Sequence, residues 1–304
     1  HALDPGVSNH TSQRSRRMKV VVSGASGFIG RHAVNSLIQA GHEVIALSRG
    51  GNPPVPGVTR WVQCDLSRPE EWSLEADFEG VDVLLHLAAS GVDPKTAVWA
   101  TCFETNVTAA MRLWLAAVNA GVRRIVNCGT CFEYGSAATA HLAIPTTAAP
   151  QPLSPYAASK AAATMILHGI AASSNIQAIS LRPCVVFGEG EPEHRLWPSL
   201  RRAALAGTDL PMTSGFQVRD FMPVELLAER LCEAVTREDL RAGRLLVENV
   251  GSGAPKSVRE FATEWWGRWG GTGKLLFCVL PDRPSECPRM VPLIGTAERV
   301  GLGR

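Results

Sequence analysis

No run of apolar residues in this 304-residue chain is long enough to cross a membrane; residues 81–89 have the length of a buried strand. Excess charge is also scarce. Thirty Lys and Arg face 28 Asp and Glu, a formal net of +2, which argues against a nucleic-acid or membrane surface. The eight cysteines are scattered, and a second close pair to match Cys128 and Cys131 is missing. Buried or loop thiols are therefore expected, and no metal site. Residues 1–17 lack an apolar leader core and any periodicity, so they are expected to be a tail outside the fold, with Arg14, Arg16 and Arg17 solvated. Nothing calls for an oxidising compartment, and a cytoplasmic setting is expected.

What is present begins at residues 18–30, Met-Lys-Val-Val-Val-Ser-Gly-Ala-Ser-Gly-Phe-Ile-Gly. The β-branched run 19–23 reads as a buried parallel strand, and a helical pattern covers 28–40. Gly24 allows a tight turn, Gly27 lets a pyrophosphate approach the backbone, and Gly30 lets helix pack on strand. Ser26, Phe28 and Ile29 belong to the same loop. The helix start would aim free N–H groups at phosphates, so this is a dinucleotide cradle. Further strands are expected at 42–47, 60–63, 81–87 and 124–128. An acidic residue after the second strand would repel a 2′-phosphate, and none is there. Ser48 and Arg49, with Arg31 as a second cation, favour NADP(H) over NAD(H); a solvated arginine is the plain alternative. Asp65, followed by Leu66, is placed to meet the adenine or simply to make a turn. Small residues at Leu87, Ala88 and Ala89 leave room for a ligand at the strand end. Asn106, inside a helix expected over 94–120, needs a polar partner. His86 reads as a satisfied core histidine.

Ser154 and Pro155 open a helix by a capping hydroxyl and a proline in the first turn. Tyr156 and Lys160 then share one helical face. An ammonium beside a phenol favours the phenolate, so the Tyr156 pKa is expected to fall toward working pH, which suits a general acid/base. A long loop, 136–155, is expected to lie over the site.

Gly24, Gly27 and Gly30, Thr130 ahead of Tyr134-Gly135, and Tyr156-x-x-x-Lys160 together resemble the extended short-chain dehydrogenase/reductases. Residues 181–188 and 218–224 extend the likeness over about 18–250. The resemblance implies a Rossmann-type α/β fold: a doubly wound parallel sheet with a smaller C-terminal substrate lobe. The expected division is a cofactor domain over 18–182 and a substrate lobe over 183–304, with some segments returning to the sheet. It implies a catalytic triad of Thr130, Tyr156 and Lys160, with Lys160 also on the nicotinamide ribose, and Pro183 and Val185 at the nicotinamide pocket.

Departures narrow the chemistry. Dehydratases of this family carry Asp-Glu after the catalytic threonine; here Cys131 and Phe132 follow, and Glu133 lies one residue late unless the loop shifts. What survives is hydride transfer at one carbon. The segments 129–135 and 187–196 look most like NADPH-dependent 4-ketoreductases acting on dTDP- or CDP-linked 4-keto-6-deoxyhexoses, which is the leading expectation. The alternative is an NAD-dependent C4 epimerase, and a non-catalytic NADP(H) sensor is the rival from another class. The substrate, a nucleotide-diphosphate sugar, would meet Ser90, Cys131, Phe132, His194, Arg195, Trp197, Arg219 and Arg283. Trp197 would cover the base or simply pack, and Arg219 would fork onto the diphosphate. A helix is expected over 193–205, and another over 258–269 in the small lobe. By the resemblance a homodimer is expected, packed through the alanine faces of 94–120 and 155–173.

Overall fold

The computed structural model describes residues 16–50, 55–68, 72, 74, 76–283, 286–295 and 298–299; the expectation for residues 1–15 of the tail lies outside them. In the first part of the chain β1 (Lys19–Ser23), β2 (Glu43–Ser48), β3 (Arg60–Gln63), β4 (Val83–His86), β5 (Arg124–Cys128) and β6 (Gln177–Pro183) are separated by α1 (Phe28–Gln39), α2 (Trp99–Phe103), α3 (Ala110–Asn119) and α4 (Pro155–Ser174). There follow β7 (Val185–Phe187), α5 (Leu196–Ala206), β8 (Leu210–Pro211), β9 (Val218–Arg219), β10 (Phe221–Pro223), α6 (Val224–Thr236) and β11 (Arg244–Val250). The chain ends with β12 (Lys256–Ser257), α7 (Val258–Arg268), β13 (Leu275–Leu276), β14 (Arg289–Met290) and β15 (Glu298–Arg299).

Among the described residues, eight strands form one sheet in the order β15-β11-β6-β5-β4-β1-β2-β3. Every pairing is parallel except β11 with β15. The order reverses between β1 and β4, and in such sheets ligands sit outside the strand ends at that reversal. Strand residues alternate between the two faces. Val20 and Val22 pack with α1 and α6 through Val34, Leu37, Leu227 and Leu231. Val21, Ile45 and Leu84 pack with α3 and α4 through Leu113, Trp114 and Leu167. Burial on both faces is why β1 is apolar throughout rather than alternating.

The small lobe has its own aromatic core of Phe187, Trp197, Phe221, Phe261 and Trp266. Phe221 and Phe261 stack at 3.9 Å between centroids. Helix α7 starts at a capping box in which Ser257 and Glu260 satisfy each other's backbone N–H. No described helix is long and apolar enough to cross a membrane.

The helix expected over 94–120 is interrupted. It begins only at Trp99, and Glu104–Ala109 is wound as a π-turn between α2 and α3. The extra residue in that turn goes with Asn106, whose Oδ1 accepts from Ser90 N at 2.7 Å and whose Nδ2 donates to Ser90 O and Ser159 Oγ, both at 2.9 Å. One side chain thus ties the segment after β4 to α4, one residue before Lys160. The helix expected from 193 likewise starts later, at Leu196.

Candidate active site

Local sterics shape the glycine loop. Gly24 has φ +73°, and a Cβ there would sit 2.6 Å from Ala88 N; a Cβ on Gly30 would sit 2.1 Å from Gly24 O. Gly27 caps α1 without any side-chain hydrogen bond, so the first-turn N–H groups stay open toward the strand ends. A dinucleotide pyrophosphate fits this cradle. Ser26 is exposed, and its Oγ accepts from Ser48 Oγ at 3.1 Å. Phe28 and Ile29 are half-buried on the core beneath α1, and Leu66 is buried in the opposite core. Arg49 is exposed. Arg31, expected as its second cation, donates one guanidinium N–H to Gly190 O at 3.1 Å, toward the segment before α5. Asp65 makes a turn: Oδ1 accepts from Ser67 N at 3.0 Å and Ser67 Oγ at 2.8 Å, which holds its carboxyl below the usual range. Leu87 and Ala88 close on Gly24, and Ala89 is exposed.

Across the crevice, α4 starts with Ser154 Oγ accepting from Ala157 N at 3.2 Å and Pro155 in its first turn. This places Tyr156 and Lys160 one turn apart. Charges and thiols from other elements reach Tyr156: Cys128 from β5, Glu133 from the 3₁₀ turn after it, Arg195 from the segment before α5, and Cys102 from α2. Burial pushes the Tyr156 phenol up, with Cys128 and Glu133 adding to the rise. This corrects the expected fall: desolvation of the phenolate outweighs any help from Lys160. Lys160 is 3% exposed, and burial lowers its pKa against the opposing pull of Cys128 and Glu133. Among the described residues nothing hydrogen-bonds its ammonium, a donor set suited to ribose hydroxyls. Thr130 is 4% exposed and caps the 3₁₀ turn, its Oγ accepting from Phe132 N at 3.3 Å.

His86 lies below, its Nδ1 sharing a 2.8 Å hydrogen bond with Ser23 Oγ and its ring edge-on to Trp114. Burial, and the charge of Lys160, pull its pKa down to about 3. The unfolded chain therefore binds a proton that the folded chain refuses below about pH 6.5. Stability is expected to fall by about 2 kcal/mol from this residue between pH 7 and 5. Urea midpoints at the two pH values check it, since His86→Gln should flatten that slope.

Several expected substrate contacts are placed elsewhere. Cys131 is fully buried with Tyr134, Ile144, Cys184 and Met290, its Sγ donating to Arg182 O at 3.1 Å, and Phe132 packs on the same cluster. A thiol beside apolar neighbours is inside because it is small and weakly polar. Trp197 packs between Phe187, Trp265 and Trp269 instead of covering a base. Arg219 is 3% exposed and already forked, to Glu286 Oε1 at 3.0 Å and Val218 O at 2.8 Å. Arg283 is exposed, and His194, also exposed, lies 3.5 Å from Asp93. Ser90 is half-buried and tied to Asn106, while buried Pro183 and half-buried Val185 join β6 to β7. Arg195 does approach Tyr156, donating to Glu191 Oε1 at 3.2 Å and Val92 O at 3.4 Å. The 136–155 loop is pinned rather than draped: Ser136 donates to Gln151, and Ile144 bridges to Pro292.

A family model described as the NAD dependent epimerase/dehydratase family matches residues 20–251. The chain belongs to this family. The UDP-glucose 4-epimerase of Streptomyces lividans is 32% identical over 264 residues, 80% of this chain and 78% of that protein. The one from Mycolicibacterium smegmatis is 30% identical over 301 residues, 94% and 90%. The structure of MoeE5 in complex with UDP-glucuronic acid and NAD matches with TM-score 0.80 and 29% identity, over 91% of this chain and 90% of that one.

Within the epimerase/dehydratase frame, one residue was underread from sequence. Glu133 is fully buried. It accepts from Arg182 Nε at 2.9 Å, Arg182 Nη2 at 2.8 Å, Thr164 Oγ1 at 3.0 Å and Thr130 N at 3.0 Å. Arg182 itself is the signal: a cation ending the buried strand run 178–181, apolar but for Ser180, requires a buried partner.

Proposed function

We propose that this chain is an NAD-dependent nucleotide-sugar 4-epimerase, which oxidises a sugar C4 hydroxyl and reduces the ketone from its other face. The observation that sets this reading above a dehydratase is that, among the described residues, no free acid stands beside Thr130. Cys131 is buried, Phe132 is apolar, and Glu133 is locked to Arg182. Elimination of water, which needs a proton donor there, lacks its group. The relatives named above favour an epimerase over a 4-ketoreductase, and NAD over NADP(H).

The glycine loop and Lys160 would hold the dinucleotide. A bound nicotinamide supplies the hydride acceptor and donor at C4. Tyr156, as phenolate, takes the O4–H proton when C4 loses its hydride and returns it to O4 when the hydride comes back, so protons and electrons balance over the cycle. Arg195 is the charge that opposes the burial of that phenolate, and the Lys160 ammonium lies one turn away on the same helical face. Thr130 Oγ donates to the sugar oxygen and stabilises charge developing there. Arg195, close to Tyr156, is the contact best placed for the hexose. In the same proposal, 18–182 is the cofactor unit and 183–304 mainly the substrate lobe, although α6 and β11 return to the sheet. Free thiols at all eight cysteines accord with a cytoplasmic setting.

Ser48 and Arg49, with no acid after β2, favour the second reading, an NADPH-dependent 4-ketoreductase. Denaturing the purified protein and identifying any released nicotinamide separates the two. The expected result is NAD, together with C4 epimerisation of UDP-glucose, UDP-N-acetylglucosamine or UDP-glucuronate by NMR, without added cofactor. Oxidation of added NADPH by a dTDP-linked 4-keto-6-deoxyhexose would transfer the assignment to the ketoreductase.

The homodimer stands as part of the proposal, but on different residues. Of the alanines on those faces, Ala109, Ala110, Ala117, Ala157, Ala161 and Ala163 are buried within the chain, and Ala116 and Ala162 are half-buried. Leu115 and Met165 are the exposed apolar residues of those helices and would meet a second copy. Light scattering should give twice the protomer mass, and Met165→Glu should halve it.

A further inference from the structure

We infer that Glu133 is a positioning residue: its carboxylate clamps the Thr130 backbone to β6 and α4, so that the Thr130 hydroxyl and the Tyr156 phenol meet the sugar oxygen at one point. This rests on the epimerase reading of the site. Each oxygen of the carboxylate has a distinct task. Oε1 accepts from Thr130 N at 3.0 Å, which closes a capping box with Thr130 Oγ. Oε2 accepts from Arg182 on β6 at 2.9 Å and from Thr164 at 3.0 Å, one turn along α4 from Lys160. Gly129 makes the approach possible, since a Cβ there would lie 2.6 Å from Glu133 Oε1 and 2.9 Å from Ser180 Oγ. Arg182 is held from a second side by the Tyr134 ring, 4.7 Å away, and Tyr134 OH donates to Asn249 on β11 at 2.7 Å. The clamp thus joins three sheet strands and the catalytic helix at the loop bearing Thr130.

Its negative charge acts on the same groups. Glu133 raises the pKa values of both Tyr156 and Lys160. The other groups facing them are Cys128, Cys102 and Arg195 at Tyr156, and Cys128 and His86 at Lys160. A neutral residue at 133 would leave all of these in place and make the phenolate easier to form.

Glu133→Gln and Glu133→Asp separate charge from reach. The first loses the charge and leaves one oxygen where Thr130 N and Arg182 each hold one now, its NH2 facing a donor; the second keeps the charge and shortens the arm. Both are expected to lower kcat by about 100-fold with KM within about twofold. Only Glu133→Gln should move the acid limb of the kcat–pH profile to lower pH. Amide hydrogen exchange, run on the protein without sugar, should show lost protection at Thr130 in both. Should Glu133→Gln fail to fold with Arg182 unpaired, Glu133→Gln with Arg182→Met leaves no lone charge and should show the same kcat loss. A folded single or double variant with wild-type kcat, or a Thr130 amide as protected as in wild type, would overturn the clamp. A wild-type protein that epimerises nothing, yet loses Thr130 protection on substitution, would retire the epimerase reading and leave the clamp standing.

Discussion

Tyr156→Phe is expected to lower kcat by about 10³-fold and to leave nucleotide-sugar binding and NAD content nearly unchanged. The chain has only two tyrosines. The other, Tyr134, is fully buried with its hydroxyl given to Asn249, so it cannot deputise. Removing one oxygen leaves the shape of the site intact while deleting the group proposed to exchange a proton at the sugar oxygen. The loss should fall on kcat, because the interaction matters in the transition state and not in ground-state binding. Burial pushes the phenol up, so the basic form grows as pH rises and wild-type kcat should climb on the alkaline side. Tyr156→Phe should lose that climb. C4 epimer formation measured by NMR from pH 6 to 9, with released NAD quantified in parallel, tests both points. Activity surviving the substitution would remove Tyr156 from the mechanism.

Gly30→Ala is expected to abolish cofactor retention and to cost about 3 kcal/mol of stability. The added Cβ would lie 2.1 Å from Gly24 O and 2.8 Å from Ala25 O. Backbone oxygens cannot swing aside, so α1 must withdraw from β1, and the first-turn N–H groups leave the position where a pyrophosphate would meet them. Gly41→Ala is the matched control. Gly41 has φ +83°, yet nothing lies within 4 Å of a Cβ there. It should carry only left-handed strain of about 1–2 kcal/mol and keep its NAD. Thermal unfolding with and without added NAD, and the absorbance of extracted nicotinamide, distinguish the two. Equal losses in both variants would mean that general destabilisation, not the cradle, releases the cofactor.

Much of this molecule could be read from local pattern. Apolar runs bounded by glycine announced β1, β2, β4 and β5, because burial on both faces demands continuous apolar residues; β3, with Arg60 and Gln63 exposed, lacks that signal. The cap at Ser154 and the four-residue spacing of Tyr156 and Lys160 depend only on helix geometry, so they were visible in one dimension. The glycine trio was equally legible, since the positive φ of Gly24 and the contact of Gly30 with Gly24 O arise within one loop, although the approach of Ala88 to Gly24 does not.

Other features depend on partners far along the chain. The alternation of elements predicted a doubly wound sheet, but only packing decided that Arg31 belongs to Gly190, Arg219 to Glu286 and Trp197 to its neighbouring aromatics. A long polar or aromatic side chain looks the same in sequence whether it waits for substrate or is already satisfied. The same holds for Asn106, whose inward turn came from a π-wound segment that periodicity does not encode. The direction of the Tyr156 shift also reversed, because desolvation is a property of everything packed around a group while the lysine was its neighbour on the helix. Sequence by itself determined the strand–glycine–helix cradle and the Tyr–Lys face, whose causes lie within one turn or one loop. Tertiary structure decided which charges remain free at that face, because a charge is spent or available only once its counter-charge has been brought beside it.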